Sequence, residues 1–185
     1  MRAALSTLLD GIPCSATPEL RTSTDLPESW WQELRTSLTA LAATERTHLR
    51  QADLTRRLAV FFGDRPGDTT IGQWSAAHTD LHWANLLRSD TTPHCVLLDW
   101  EGWGRAPAGY DAACLYAHSL LAPATAAQVA TALGAQLHAR DGLLAQLYVT
   151  TRLLMRVDQG DYPDMVIPLH RNAERALDLL AVTRR

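Results

Sequence analysis

The chain has 185 residues, of which 46% are hydrophobic and 20% charged, and its formal net charge is -3. This composition is typical of a globular protein and excludes a wholly disordered chain, while the acidic balance gives no reason to expect nucleic acid as a partner. No apolar run approaches the ~20 residues of a membrane span, so no membrane partner is expected. The three widely spaced cysteines contain no CxxC pair and predict a reducing, cytoplasmic location without a disulfide framework.

The first part of the chain is predicted to be helical. Apolar residues recur at helical spacing in three segments, and the first of these is interpreted as an amphipathic helix rather than a secretory signal. The predicted helices span residues 2–10, 30–41 and 47–62. Residues 11–27 are rich in Pro, Ser and Thr and are predicted to form a loop, and Gly63 is expected to end the third helix.

The middle of the chain has a different pattern. Two short apolar runs, "NLLR" and "HCVLLDW", are separated by the turn-rich string "SDTTP", which predicts a β-hairpin. Residues 101–109 are rich in Gly and Pro and are predicted to form a loop. Helical periodicity then returns and predicts four helices, over residues 110–121, 125–140, 142–157 and 164–182.

These elements predict a mainly α protein with one small hairpin, an α+β fold class, in a single domain over residues 1–185. Residues 1–70 form a first helical region, residues 71–118 contain the hairpin and the candidate functional residues, and a second helical region follows over residues 119–185.

The string "HTDLHWAN" places polar side chains directly before the first hairpin strand. Asp80 and Asn85 lie there, and Asp99 ends the second strand. Because the start of one hairpin strand lies beside the end of the other, these three side chains are expected to converge. Carboxylate and amide oxygens suit Mg²⁺, which takes few protein ligands together with phosphate oxygens. We therefore predict Asn85 and Asp99 as magnesium ligands and Asp80 as the group that accepts a proton from a hydroxyl.

A zinc site is the weaker alternative. His78 and His82 are four residues apart and could share a metal on a helix, with His94 and Cys95 nearby in the sequence. The glutamate that follows the first histidine of a metalloprotease helix is absent from "HTDLHWAN".

The strings "HTDLHWAN", "VLLDWE" and "GYDAA" occur in an order and spacing that resemble the aminoglycoside phosphotransferase and choline-kinase-like family. The resemblance implies an ATP- and magnesium-dependent transfer of a phosphoryl group to a small-molecule hydroxyl. It implies supporting roles for His78 and His82, and it matches Asp111 to an aspartate that anchors the backbone of the catalytic loop. Thr79 stands where the family usually has glycine, and Trp83 places bulk where the family commonly has small residues.

The resemblance also implies a protein-kinase-like fold of which this chain covers the C-terminal lobe. The family's N-terminal lobe contributes strands and a lysine to the nucleotide site, whereas all 17 basic residues here are arginine. A partner that completes the missing lobe, or self-association, is therefore expected. A catalytically silent remnant that acts as a binding module is the alternative. The sequence does not identify the acceptor molecule, although the acidic residues Asp158, Asp161 and Asp164 would suit a cationic acceptor.

Overall fold

The computed structural model describes residues 11–40, 49–89 and 95–183. Within these ranges the protein is mainly α with two small antiparallel sheets, which confirms the predicted fold class. The α-helices are α1 (Glu28–Ala40), α2 (Gln51–Phe62), α3 (Tyr110–Ala117), α4 (Pro123–Ala132), α5 (Gly134–His138), α6 (Arg140–Val157) and α7 (Val166–Val182). The strands are β1 (Ile12–Pro13), β2 (Trp74–Ala77), β3 (Leu86–Arg88), β4 (Cys95–Leu97) and β5 (Gly104–Pro107). Single 3₁₀ turns occur at Trp83–Asn85, Trp100–Gly102 and Pro163–Met165.

The predicted hairpin is present. β3 and β4 pair antiparallel with Leu86 opposite Leu97, and β1 adds to the other edge of β3. This register places the residue before β3 beside the residues that follow β4, because the N–H of Leu98 donates to the carbonyl of Asn85 over 2.9 Å.

The prediction of a loop over residues 101–109 is wrong. Residues Gly104–Pro107 form β5, which pairs antiparallel with β2 from Trp74↔Pro107 to Ala77↔Gly104. Both strands are short and rich in small residues, so neither shows the alternation that marks a strand in a sequence. Their pairing depends on a partner about thirty residues away, which a local pattern cannot show.

Several predicted helix boundaries are also corrected. Residues 125–140 form two helices rather than one, because Leu133 leaves the helical region at φ -119° and ψ 17° and Gly134 follows it. The helix predicted over residues 47–62 begins at Gln51 and ends as expected at Gly63, whose φ is 59°. The helix predicted over residues 2–10 lies outside the described residues.

Helix α6 is the centre of the helical part and packs against α2, α3, α5 and α7. Twelve of its eighteen residues are buried. No helix in the described ranges has the length and apolarity needed to cross a membrane. Three tryptophans of the same core pack together beneath the hairpin. Trp30 and Trp83 stack with centroids 6.2 Å apart, and Trp31 meets both edge-on. These aromatic contacts bury Trp83 completely, so its bulk fills the core.

The start of α3 is held close to α5 and α6 by two glycines. A Cβ at Gly109, where φ is 86°, would lie 2.8 Å from the carbonyl oxygen of Gln136. A Cβ at Gly142 would lie only 1.8 Å from the same oxygen. This close approach fixes where α3 begins, and therefore where Asp111 lies.

Candidate active site

The loop between β2 and β3 is fixed by the carboxylate of Asp111. The backbone N–H of His78 donates to Oδ2 over 2.8 Å, and that of Thr79 donates to Oδ1 over 2.9 Å. Asp111 is buried, and burial raises the pKa of its carboxyl while the two N–H donors oppose that rise. The first turn of α3 therefore holds the loop by its backbone, which is the contact that the family resemblance implied.

Thr79 adopts a left-handed conformation with φ 71°, which is costly for a β-branched residue. Glycine, which the family resemblance implies at this position, would adopt this φ without that cost. Here the hydroxyl of Thr79 donates to the carbonyl of Gly102 over 2.7 Å. A Cβ at residue 102 would lie 3.0 Å from that hydroxyl, so Gly102 leaves the space that Thr79 occupies.

The ring of His78 joins the loop to the end of β4. Its Nε2 lies 2.6 Å from the carbonyl oxygen of Leu98. A carbonyl only accepts, so Nε2 carries the proton and Nδ1 is left to accept. The N–H of Asp80 points at Nδ1 over a long 3.4 Å. His78 is fully buried and packs against the ring of Trp100, and the supporting role that the resemblance implies for it stays a prediction.

Asn85 and Asp99 lie at the same end of the hairpin. The amide nitrogen of Asn85 donates to the carbonyl of Asp80 over 3.0 Å, which leaves Oδ1 as the atom of Asn85 that can bind a cation. Asp99 is exposed, has a left-handed φ of 59° and makes no capping hydrogen bond to the turn that follows. An amide oxygen and a free carboxylate are hard oxygen donors and fit Mg²⁺.

Asp80 presents its carboxylate at the surface of the loop, with its side chain 52% exposed. The Nε2 of His82 lies 3.6 Å from Oδ2 of Asp80, slightly beyond a normal hydrogen bond. The nearby imidazole of His82 lowers the pKa of Asp80, and the charge of Arg152 acts in the same direction. Asp80 therefore remains ionised and able to accept a hydrogen bond well below neutral pH.

A cleft of about 350 Å³ opens beside Asp80. Its walls come from α2, α3, α6 and the segment after α6, and its residues include Arg57, His118, Arg152, Arg156 and Tyr162. Beyond residue 120 the cleft is lined by α6 and the segment after it, and α2 from the first helical region contributes Arg57.

The guanidinium of Arg152 connects this wall to the loop. It donates to the carbonyl of Thr79 over 3.3 Å and to the hydroxyl of Tyr110. Sequence reasoning missed both Arg152 and Tyr110. The string "GYDAA" predicts a role for Asp111, whereas no local signal pairs Tyr110 with a residue 42 positions later.

Backbone strain is concentrated at this site. The non-glycine residues with positive φ in the described ranges are Thr79, Asp99 and Tyr162. Thr79 lies in the loop, Asp99 follows β4, and Tyr162 lines the cleft. Strained conformations that persist in this way are common at functional sites.

The zinc alternative gains no support from the described residues. His78 is bound to the carbonyl of Leu98, and no group of three or more His, Cys, Asp or Glu side chains within the described ranges could hold a metal. His94 lies outside those ranges.

The acidic residues of the tail are largely engaged with arginines. Asp161 pairs with Arg156 over 2.7 Å, and Asp164 pairs with Arg21 over 2.7 Å. None of Asp158, Asp161 and Asp164 is among the residues that line the cleft. These acids therefore provide no cation site beside Asp80.

The chain is similar to one solved structure and to one protein family. Among solved structures, the chain is similar to choline kinase LicA from Streptococcus pneumoniae, with 17% identity and a TM-score of 0.39, over 89% of this chain and 57% of that one. The chain thus spans little more than half the length of that kinase. No curated protein sequence matches it. The model of the phosphotransferase enzyme family matches residues 4–148, which is most of the chain. The protein belongs to the phosphotransferase enzyme family.

Proposed function

We propose that this protein transfers the γ-phosphoryl group of ATP, with magnesium, to a hydroxyl group of a small molecule bound in the cleft beside Asp80. The observation that carries the proposal is the placement of Asp80. Its carboxylate borders the cleft, on a loop that Asp111 holds by two backbone hydrogen bonds and that ends at Asn85.

In this proposal Asp80 accepts the proton of the acceptor hydroxyl while the hydroxyl oxygen bonds to the γ-phosphorus. The bond from that phosphorus to its bridging oxygen breaks, and ADP leaves with the oxygen. Catalysis of this kind depends mainly on positioning and charge stabilisation, so a carboxylate of low pKa suffices to orient the hydroxyl.

Asn85 and Asp99 would hold the magnesium ion. Asn85 is positioned by its own hydrogen bond to the carbonyl of Asp80, so the ligand and the base are fixed relative to each other. When bound, magnesium neutralises charge on the nucleotide phosphates. The chain contains no lysine that could add to this charge, so we include in the proposal a lobe-completing partner, supplied by a longer chain or a second copy.

The test is calorimetric titration with Mg–ATP, followed by a phosphoryl-transfer assay. We expect Asp99→Asn to lose magnesium-dependent nucleotide binding. We expect Asp80→Asn to retain nucleotide binding and to lose turnover by about 10²–10⁴-fold, the usual contribution of a general base. Asp64→Asn is the matched control, because Asp64 is exposed in the turn after α2 and does not line the cleft.

Two results would count against the proposal. Absence of Mg–ATP binding to the wild-type chain at about millimolar nucleotide, a free energy of roughly 4 kcal/mol, would favour the silent binding module for this chain alone. Equal binding to wild type and Asp99→Asn would remove the assignment of the metal site.

A further inference from the structure

The charge of the cleft beside Asp80 restricts what the cleft can bind. Three of its residues are arginines, Arg57, Arg152 and Arg156, whereas Asp80 is its single carboxylate among the described residues. Arg156 is paired with Asp161. Within the described ranges, Arg57 and Arg152 have no carboxylate within ion-pair distance, so the cleft carries excess positive charge.

One of the cleft histidines, His118, adds no positive charge to the cleft at neutral pH. It is buried, and burial lowers its pKa to about 4, so it is neutral near pH 7. Its ring faces that of His82 at 5.5 Å and that of Tyr162 at 6.3 Å. The arginines therefore supply the positive charge, and guanidiniums remain protonated at any ordinary pH.

Arg57 and Arg152 are also held in place before any ligand arrives. The guanidinium of Arg57 lies 5.0 Å from the ring centroid of Tyr148, in a cation–π contact between α2 and α6. Arg152 is fixed by the carbonyl of Thr79 and the hydroxyl of Tyr110. Preorganised guanidiniums lose little entropy on binding carboxylate or phosphate, for which their planar fork is suited.

A cationic acceptor has little to bind in this cleft. A quaternary ammonium group is recognised by a cage of aromatic rings, and Tyr162 is the one Phe, Tyr or Trp among the described cleft residues. A polyamine needs several carboxylates, and the cleft offers Asp80, which the reaction itself requires.

From this charge distribution we propose that the acceptor is a small hydroxyl compound that carries a carboxylate or phosphate group. The anionic group binds Arg57 and Arg152, and the hydroxyl lies at Asp80. This inference rests on the proposed function for the identity of the reacting hydroxyl, whereas the anion site depends on the arginines alone.

The experiment is titration of the full chain, without nucleotide, with hydroxyl compounds of different charge at low ionic strength. The anionic probes are glycerate and glycerol 3-phosphate, the neutral probe is glycerol, and the cationic probes are choline and kanamycin. We expect the anionic probes to bind most tightly and to weaken when the salt is raised to about 0.3 M, because salt screens exposed charges.

Arg57→Gln should weaken the binding of both anionic probes by about tenfold, the usual effect of losing one charge-assisted hydrogen bond. Arg56→Gln is the matched control, because Arg56 is the neighbouring arginine of α2, is 73% exposed and does not line the cleft. It should leave the binding unchanged. A circular-dichroism melt of each variant shows that the fold is retained.

Three outcomes would overturn the inference: tighter binding of the cationic probes, no binding of the anionic probes, or equal binding of the anionic probes to wild type and Arg57→Gln. A loss of Mg–ATP affinity in Arg57→Gln with anion binding unchanged would instead assign Arg57 to the nucleotide. Failure of the proposed function is a separate result, because Mg–ATP binding and its dependence on Asp99 are measured independently.

Discussion

The loop between β2 and β3, which we call the catalytic loop after its proposed role, differs from the wall of the cleft in how it is built. The loop places His78, Thr79, Asp80 and Asn85 within eight positions, and its anchor Asp111 is carried by a second short motif. The wall combines residues from α2, α3, α6 and the segment after α6, which are separated by up to about a hundred positions. A compact motif can be recognised in a sequence, whereas a dispersed surface exists only after the helices have packed.

The difference has a chemical counterpart. In the proposed function, the loop would carry the base and the metal ligands that are general to phosphoryl transfer. The wall would select the acceptor by its charge and shape. The two regions nevertheless touch, because Arg152 of the wall donates to the carbonyl of Thr79 in the loop.

The largest expected effect comes from removing the anchor of the loop. Asp111→Ala leaves the buried N–H groups of His78 and Thr79 without acceptors. Each of the two unsatisfied donors costs about 1–3 kcal/mol, so we expect a loss of roughly 2–6 kcal/mol in the free energy of unfolding, together with loss of activity. Urea denaturation measures it, with the exposed Asp178→Ala as the control. A loss below about 1 kcal/mol would show that the loop does not depend on this anchor.

The second prediction concerns the wall and its dependence on pH. His118 is buried with its pKa lowered to about 4, and its Nδ1–H donates to the carbonyl of Cys114. In the unfolded chain, His118 has a pKa of about 6.5. Below that pH the unfolded chain binds a proton at His118 and the folded chain does not, so the free energy of unfolding falls as the pH drops from 6.5 towards 4.

The contribution of His118 to this loss is at most roughly 3–4 kcal/mol, because its pKa falls from about 6.5 to about 4 and each tenfold change in proton affinity corresponds to about 1.4 kcal/mol. His118→Asn lacks the titrating ring and should show a shallower decline of melting temperature over the same pH range. Parallel pH profiles of wild type and variant would contradict the assignment of this titration to His118.

The third prediction tests how the loop accommodates a threonine in the left-handed backbone conformation. Thr79→Val keeps the branched shape but loses the hydrogen bond to the carbonyl of Gly102, and should cost about 1–3 kcal/mol. Thr79→Gly loses the same hydrogen bond but removes the strain of positive φ, so its net effect should lie within about 1 kcal/mol of zero. Thermal melts of both variants provide the comparison. A Gly variant less stable than the Val variant would show that strain is not the deciding factor.

The smallest expected effect tests the contact between Arg152 of the wall and Tyr110, which directly precedes the anchor Asp111. A double-mutant cycle of Tyr110→Phe and Arg152→Gln isolates the hydrogen bond between the two side chains. We expect a coupling of about 1 kcal/mol in the free energy of unfolding, the usual net contribution of one hydrogen bond. Additivity within about 0.3 kcal/mol would indicate that Tyr110 and Arg152 are energetically independent.

The sequence predicted the mainly α fold and the hairpin because hydrophobic periodicity and turn residues are local signals. The helix predicted over residues 30–41 buries Trp30 and Trp31 in the core. The sequence prediction failed at β2 and β5, whose short strings of small residues gain their strand conformation from each other. It failed at the break near Leu133 because "TALGAQ" has continuous apolar spacing across a glycine.

For the site, the sequence indicated which residues carry the chemistry, and the roles of Asp80, Asn85, Asp99 and His82 stay predictions. The structure adds how they are held. The arginines of the cleft could not be predicted, because an arginine on an amphipathic helix usually faces solvent, and only the packing of α2 on α6 brings Arg57 towards Arg152.

The pairing of β2 with β5 has a consequence for how the site forms. The ladder joins Ala77 to Gly104 and so closes a loop that contains Asp80, Asn85 and Asp99. The entropy of closing that loop is lost once, after which the contacts inside it form at much lower cost. The site should therefore open and close as one cooperative unit in native-state hydrogen exchange, with the amides of the β2–β5 ladder and those of the catalytic loop exchanging at a common rate.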